Sequence, residues 1–352
     1  MKIAVYGANG YTGKLMIEEL RRRGFDMVLS GRNATRLRAA ADGAGAGDAE
    51  LRIADADDEP ALAEAFHGCD AVINCAGPFI SAGEPVVRAA IAAGCHYVDT
   101  SAEQLFLQRV FDTYAEDAER AGVSVIPAMG YDILLGDMIA HLTGQRTGPV
   151  EELTVAYRVG EFDMTRGTIR SAVEMIRSGD VVYEDGQWRA GGIPAKRTSF
   201  AYPGDLEESP TLRWPGAEVI TVPRHVPARR VEVIMDAAAF TPEMSALLQS
   251  PADELDTFVS GLPEGPSGDR RPAATFTIVA EALGEDGRKA RGELRGTDIY
   301  GITAVIAVEG VRRLVADGAP GGVLTPAQGY DCVGFLDFLA PHGITWNVAI
   351  TS

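Results

Sequence analysis

Apolar and polar positions follow two rhythms along this chain. Up to Ile126 short unbroken apolar runs recur, at Ile3 to Tyr6, Met27 to Ser30, Leu51 to Ala54, Ala71 to Ala76, Tyr97 to Asp99 and Val123 to Ile126. Runs of this kind are strands covered on both faces, as in a parallel sheet. Between them lie stretches of helical spacing: Lys14 to Arg23, an alanine- and glycine-rich piece from Ala34 to Gly47, Glu84 to Ala93, and Gln104 to Ala121. Strands that alternate with helices predict a doubly wound α/β domain.

After Pro149 the rhythm changes. Leu153, Val155 and Tyr157 alternate with polar residues as in an exposed antiparallel strand, and Thr168 to Arg177 reads as a helix. Val219 to Val222 and Val231 to Met235 read as strands, Met244 to Val259 as a helix interrupted at Pro251, and Glu264 to Pro272 as a loop. Thr275 to Ala282 and Ala290 to Thr297 flank Asp286-Gly287 and predict a β-hairpin. A long apolar helix over Gly301 to Asp317, a helix reaching about Ala340 and a strand from Thr345 to Ile350 complete the chain. The expected architecture is a Rossmann doubly wound parallel sheet over residues 1–132 and an α+β domain on a mostly antiparallel sheet over 133–321. The segment 322–352 is expected to pack back on the first domain.

Composition narrows the function classes. The 352 residues are 46% hydrophobic and 23% charged, enough to bury two cores. A net charge of −18 argues against a nucleic-acid surface. Cys69, Cys75, Cys95 and Cys332 form no CxxC pair and read as buried free thiols of a reducing, cytoplasmic environment. The five histidines are scattered, so no metal site is expected, and His225 has no visible partner. No apolar run is long enough to span a membrane, and no export segment precedes the first strand.

The most informative motif follows the first strand: Gly7, Ala8, Asn9, Gly10, Tyr11, Thr12 and Gly13 lead straight into a helix. Glycines allow a sharp turn and a close backbone approach to a pyrophosphate, and the helix N-terminus adds donors and partial positive charge. Gly7, Asn9, Gly10, Tyr11, Thr12 and Gly13 are therefore cofactor-binding candidates. After the second strand, where an NAD site carries a carboxylate, this chain has Ser30 and Arg32, with Arg36 one turn further. A hydroxyl and guanidinium groups there predict NADP(H), the alternative being a solvated loop cation. Asp55, after the third strand, is placed to accept from an adenine amino group. The acidic run it opens also reads as an N-cap of the next helix, through Asp57 or Asp58.

Several motifs together resemble the saccharopine dehydrogenase-like oxidoreductases: YGANGYTG at the start, INCAGPF over Ile73 to Phe79, and GEPVVRAAIAAGCHYVDTSAE over Gly83 to Glu103. Gly130, Tyr131, Asp132 and the stretch Gly322 to Gln328 resemble two further family segments. The resemblance implies NADPH and places Cys75, Ala76, Gly77 and Pro78 beside the ribose and nicotinamide. It puts Phe79 against the nicotinamide or substrate, or at a domain interface. Family members include saccharopine reductases, which act on a C=N bond, and enoyl reductases that work in trans with polyketide synthases.

Residues after the fifth strand can reach the cofactor cleft, which makes Ser101 a cofactor candidate and Glu103 a substrate candidate. Both also fit capping of the helix near Gln104. Hydride transfer leaves the protein to orient the acceptor and move one proton. Tyr114 lacks the lysine of a YxxxK pair, so Tyr131 and Asp132, after the sixth strand, are the catalytic candidates; Asp132 also fits a helix cap. Arg166 and Thr168, with Arg158 and Arg170 nearby, are candidates for holding a substrate carboxylate, against a solvated charged face. The expected function is NADPH-dependent reduction of a C=N bond in a small carboxylate-bearing substrate by a homodimer. The alternatives are a trans-acting enoyl reductase with an acyl-carrier partner, for which Arg21 to Arg23 and Arg312, Arg313 offer basic patches, and a non-catalytic NADP-binding sensor.

Overall fold

The computed structural model describes residues 1–192, 194–240 and 252–351. It divides into two compact units, Met1–Tyr131 with Tyr300–Tyr330, and Asp132–Ile299 with Asp331–Ser352.

The first unit is built on β1 (Lys2–Tyr6), α1 (Tyr11–Arg22), β2 (Asp26–Gly31), α2 (Ala34–Gly43), β3 (Glu50–Ile53), α3 (Glu59–Phe66), β4 (Ala71–Asn74), α4 (Phe79–Ala92), β5 (His96–Asp99), α5 (Gln104–Ala121) and β6 (Ser124–Ile126). All pairings are parallel, in the order β6-β5-β4-β1-β2-β3, and a further strand, β15 (Gly322–Val323), lies beside β6. The apolar runs are covered on both faces, with Ile3, Val5, Val28, Leu29, Val72, Ile73 and Val98 fully buried. Between β1 and β4 the strand order reverses, and the crevice at the carboxyl ends of these two strands is where open α/β sheets bind ligands.

Helix α10 (Ile299–Asp317) falls almost wholly in this unit, not in the second domain as expected from its place in the chain. Glu309 of α10 explains the placement: it is buried and pairs with Arg23, at the end of α1, and with Arg312 and Arg313. Glu19 of α1 pairs in turn with Arg22 and Arg23. The basic clusters read as candidate docking patches are thus largely engaged in an internal ion-pair network.

The second unit carries a mixed sheet. β7 (Val150–Gly160) is central, pairing in parallel with β12 (Ala228–Asp236) and antiparallel with β13 (Thr275–Gly284). The hairpin of β13 with β14 (Lys289–Thr297) forms as expected from Asp286-Gly287, and β16 (Thr345–Thr351) adds to β14. On the other side β11 (Ser209–Arg213) extends the sheet from β12 to β10 (Ser199–Phe200). The alternation in β7 suggested an exposed strand, yet residues 152–157 are all buried; on the face read as polar, Ala156 packs in a cluster with Phe200, Tyr202, Ile234 and Val279.

Two further expectations differ. Val219 to Val222 is not a strand; α8 (Glu218–Thr221) runs into a 3-10 turn at Val222–Arg224, a run too short for its β-branched residues to select a strand against their surroundings. The C-terminal segment does not return as one piece, since β15 belongs to the first unit whereas α12 (Cys332–Leu339) and β16 belong to the second. The helix read from Met244 lies in part outside the described residues, with Ala252–Gly261 helical. No helix among the described residues is long and apolar enough to cross a membrane.

Candidate functional site

The glycine turn has the geometry its sequence predicts. Gly7 has φ +79, and a Cβ there would lie 2.9 Å from both Cβ and N of Ala76. The turns after β1 and β4 therefore touch, and only glycine permits the contact. Gly7 N–H donates to the Ser30 carbonyl at 2.9 Å, Gly10 N–H to the Gly7 carbonyl at 3.0 Å, and Cys75 N–H to the Tyr6 carbonyl at 2.9 Å. A Cβ on Gly13 would meet Ala8 Cα at 2.7 Å, so the first turn of α1 sits directly on the loop. Gly10 is the N-cap and supplies no side-chain hydrogen bond. The head of α1 keeps its positive end clear of a capping side chain, as an anion site requires.

The carboxyl ends of β1, β2 and β3 gather the groups expected around the adenosine half. Tyr6, Arg32, Asp55 and Asp57 lie within electrostatic range: burial first, then Asp55, pushes the Tyr6 phenol up to about 12, while Arg32 opposes the rise. Arg32 and Asp55 are exposed. Among the described residues the Arg32 guanidinium forms no hydrogen bond or ion pair. The Ser30 side chain is fully buried, and among the described residues its hydroxyl has no hydrogen-bond partner. Arg32 is the group available to a 2′-phosphate, with Arg36 exposed on the first turn of α2. Of the two capping candidates, Asp58 caps α3, accepting from Ala61 N–H at 3.1 Å.

The turn after β4 is held from below. Ala76 N–H donates to Asn74 Oδ1 at 2.9 Å, the Asn74 amide donates to Tyr97 Oη at 3.1 Å, and Tyr97 O–H donates to Asp99 at 2.9 Å. Cys75, Ala76 and Pro78 are partly exposed and Gly77 is exposed, with Gly77-Pro78 cis. Asp99 also accepts from the N–H groups of Ser101 and Ala128, both at 2.9 Å, and from the Ser101 hydroxyl. Ser101 is thus a buried support of Asp99 and not a group facing a cofactor. Asp99 in turn fixes the loop after β6, where Ala128 is held at φ 64.

Phe79 and Glu103 also take structural places. Glu103 is 2% exposed, and its carboxylate accepts from Phe79 N–H at 3.0 Å and from Ile80 N–H. It caps α4, a helix distant in sequence, and not α5, which it precedes. This cap starts α4 at Phe79, ahead of the expected Glu84. Phe79 is buried and packs on Phe106, ring centroids 5.7 Å apart.

Tyr131 ends the first unit; its N–H donates to the Thr303 hydroxyl at 3.1 Å. Asp132 opens the second unit in the first turn of α6 (Tyr131–Gly144). Burial pushes its carboxyl up to about 6, against backbone N–H groups of its own turn.

The arginines expected to bind a carboxylate are already occupied. Arg166 Nε donates to the Leu262 carbonyl at 2.7 Å, and Nη2 donates to the same oxygen. Thr168 Oγ1 lies 2.8 Å from Thr165 Oγ1, and Thr165 caps α7 (Arg166–Arg177). Arg158 pairs with Asp205 at 2.8 Å and Asp236 at 2.7 Å. Local helix capping at 165–168 and long-range acids at 205 and 236 account for the difference.

Two features escaped sequence reasoning. Glu218 is fully buried; Tyr157 O–H bridges its Oε1 and, at 3.0 Å, the Asp132 carbonyl, while Glu218 Oε2 has no partner among the described residues. Gly136 makes the room, since a Cβ there would collide with both Tyr157 Oη and Glu218 Oε1. Burial pushes the Glu218 carboxyl up to about 8. Secondly, His225 is far from isolated: its Nε2 lies 2.7 Å from Asp137 Oδ1 and its Nδ1 3.1 Å from His141 Nδ1, and His141 Nε2 lies 2.8 Å from Gln145 Nε2. Asp137 and His141 on α6 and Gln145 just past its end recur every four residues, a stripe visible in the sequence. No group of three or more metal-binding side chains occurs among the described residues.

Residues 3–126 match the saccharopine dehydrogenase NADP binding domain. A lipid droplet localized protein of Caenorhabditis elegans is 32% identical over 146 residues, 39% of this chain and 34% of its own. A trans-acting enoyl reductase of Mycobacterium bovis is 31% identical over 210 residues, 58% of this chain and 49% of its own. The matched part is thus half or less of these relatives' length. Among solved structures, apo saccharopine dehydrogenase (L-Glu forming) from Saccharomyces cerevisiae superposes with a TM-score of 0.61 over 100% of both chains at 15% identity, a likeness of fold.

Proposed function

We infer that this chain, whose residues 3–126 form a saccharopine dehydrogenase NADP-binding domain, is an NADPH-dependent reductase of an activated C=C bond. The observation that carries the reading is the close apposition of Gly7 and Ala76 under the uncapped head of α1, with the exposed guanidinium of Arg32 directly after β2. NADPH, when bound, supplies the hydride. The Gly7 to Gly13 turn holds the pyrophosphate, and Arg32 holds the 2′-phosphate through charge-assisted bonds. The turn Cys75 to Pro78, stiffened from below by Asn74, Tyr97 and Asp99, carries the ribose of the nicotinamide half.

The proton comes from Asp132. A carboxyl titrating at about 6 keeps part of its population protonated near neutrality and still releases a proton readily. For an enoyl thioester the hydride adds to the β-carbon and the proton to the α-carbon. Similarity to the enoyl reductase of Mycobacterium bovis supports this acceptor, because 210 aligned residues exceed the 131 of the first unit's leading segment. A carboxylate-bearing C=N substrate fits less well, since Arg158 and Arg166 are engaged elsewhere.

The protein mixed with NADPH and an α,β-unsaturated acyl thioester is expected to consume the cofactor. Consumption only with an imine formed from an amino acid and an aldehyde would reverse the acceptor assignment. Binding without consumption in either mixture would overturn the reaction itself.

A further inference from the structure

The polar stripe on α6 has a direction built into it. Asp137 is 0% exposed and, when ionised, can only accept a hydrogen bond. His225 Nε2 must then carry a proton and donate to Asp137 Oδ1 across 2.7 Å. A neutral His225 consequently has a bare Nδ1, which accepts across 3.1 Å from His141 Nδ1–H. Neutral His141 is left with a bare Nε2, which accepts from the Gln145 amide at 2.8 Å. One buried carboxylate thus sets both tautomers and orders three hydrogen bonds in a single sense, from exposed Gln145 to the interior. Burial and the neighbouring His225 hold the His141 imidazole below its ordinary value, as neutral rings require.

We propose that Gln145, His141, His225 and Asp137 form a directional proton path from the exposed end of α6 to the buried carboxyl groups near its head. Bonds are conserved along it: a solvent proton joins His141 Nε2, the His141 Nδ1 proton passes to His225 Nδ1, and the His225 Nε2 proton passes to Asp137 Oδ1. Each ring ends neutral in its other tautomer, and ring rotation restores the resting order. Around the inner end stand Glu218, which feels both Asp132 and Asp137, Tyr157 bonded to Glu218, and the Cys332 thiol, pushed up to about 12 by burial and then by Asp137. The use of the path rests on the reading that Asp132 releases one proton per reduction and must regain it.

Nitrogen NMR of histidine-labelled full-length protein tests the path without any substrate. The expected spectrum shows two neutral rings in opposite tautomers, His141 protonated at Nδ1 and His225 at Nε2, and Asp137→Ala abolishes this order. His141 protonated at Nε2, or tautomers indifferent to Asp137→Ala, would overturn the proposal. With turnover established, His141→Ala is expected to lower kcat by about tenfold or more at unchanged KM, with recovery on adding imidazole. A loss of kcat that imidazole does not restore, with a lowered Tm, means a structural role and also overturns it. Absence of NADPH consumption by the wild-type protein removes the reductase reading and leaves the tautomer result to decide the path.

Discussion

Arg32→Ala isolates the basis of cofactor choice. The guanidinium is exposed, follows the last residue of β2, and has no protein partner among the described residues, so its removal leaves no buried group unpaired. The Tm should consequently stay put. Towards a 2′-phosphate the same group makes charge-assisted bonds, worth about 1.5–3 kcal/mol each when formed. Solvent access favours the lower end, about 1.5–2 kcal/mol, which corresponds to a rise in Kd of about 10–30-fold for NADPH. NADH has no 2′-phosphate, so its Kd should move by less than about 2-fold. Fluorescence titration of both cofactors with wild type and variant reads this difference, and raised salt should shrink it because the contact lies at the surface. Equal weakening of both cofactors, or no change for NADPH, would refute the assignment of Arg32.

Glu103→Ala should lower stability by about 2–4 kcal/mol, read as a lower denaturation midpoint, because it unpairs the N–H groups of Phe79 and Ile80. Glu103→Gln should recover part of the loss. Glu218 has a folded value raised from 4.5 to about 8, so the folded state holds a proton that the unfolded state gives up across that window. Stability therefore falls as pH rises through it, by about 5 kcal/mol, and Glu218→Gln should flatten the fall; parallel curves for the two proteins would contradict this. If Asp132 donates the proton, kcat/KM should decline above about pH 6, and Asp132→Asn should remove that limb of the profile.

Local chemistry was legible in the sequence and long-range chemistry was not. Gly7, Gly10 and Gly13 disclosed the cradle because strand, turn and helix are contiguous, and the hairpin at Asp286-Gly287 was legible for the same reason. Arg32 is placed by its distance along the chain from the glycine turn. Ser101, Glu103, Arg158 and Arg166 misled because their partners, Asp99 apart, lie far along the chain: Phe79 and Ile80 for Glu103, Asp205 and Asp236 for Arg158, Leu262 for Arg166. A carboxylate or guanidinium near a cleft looks available until the backbone group it serves is known. His225 failed in the opposite direction, since it looked isolated and is bonded to a helix more than 80 residues earlier, Asp137 being 88 positions away. The central position of β7 was hidden because a parallel partner, β12, arrives only after a long intervening segment.

The central claim is hydride transfer from NADPH to a carbon–carbon double bond. It is tested most directly by supplying NADPH deuterated at nicotinamide C4 with an α,β-unsaturated acyl thioester and analysing the product by mass spectrometry and NMR. The account predicts one deuterium at the β-carbon and one solvent-derived hydrogen at the α-carbon. A product without cofactor-derived deuterium, or cofactor that binds and stays reduced, would contradict it.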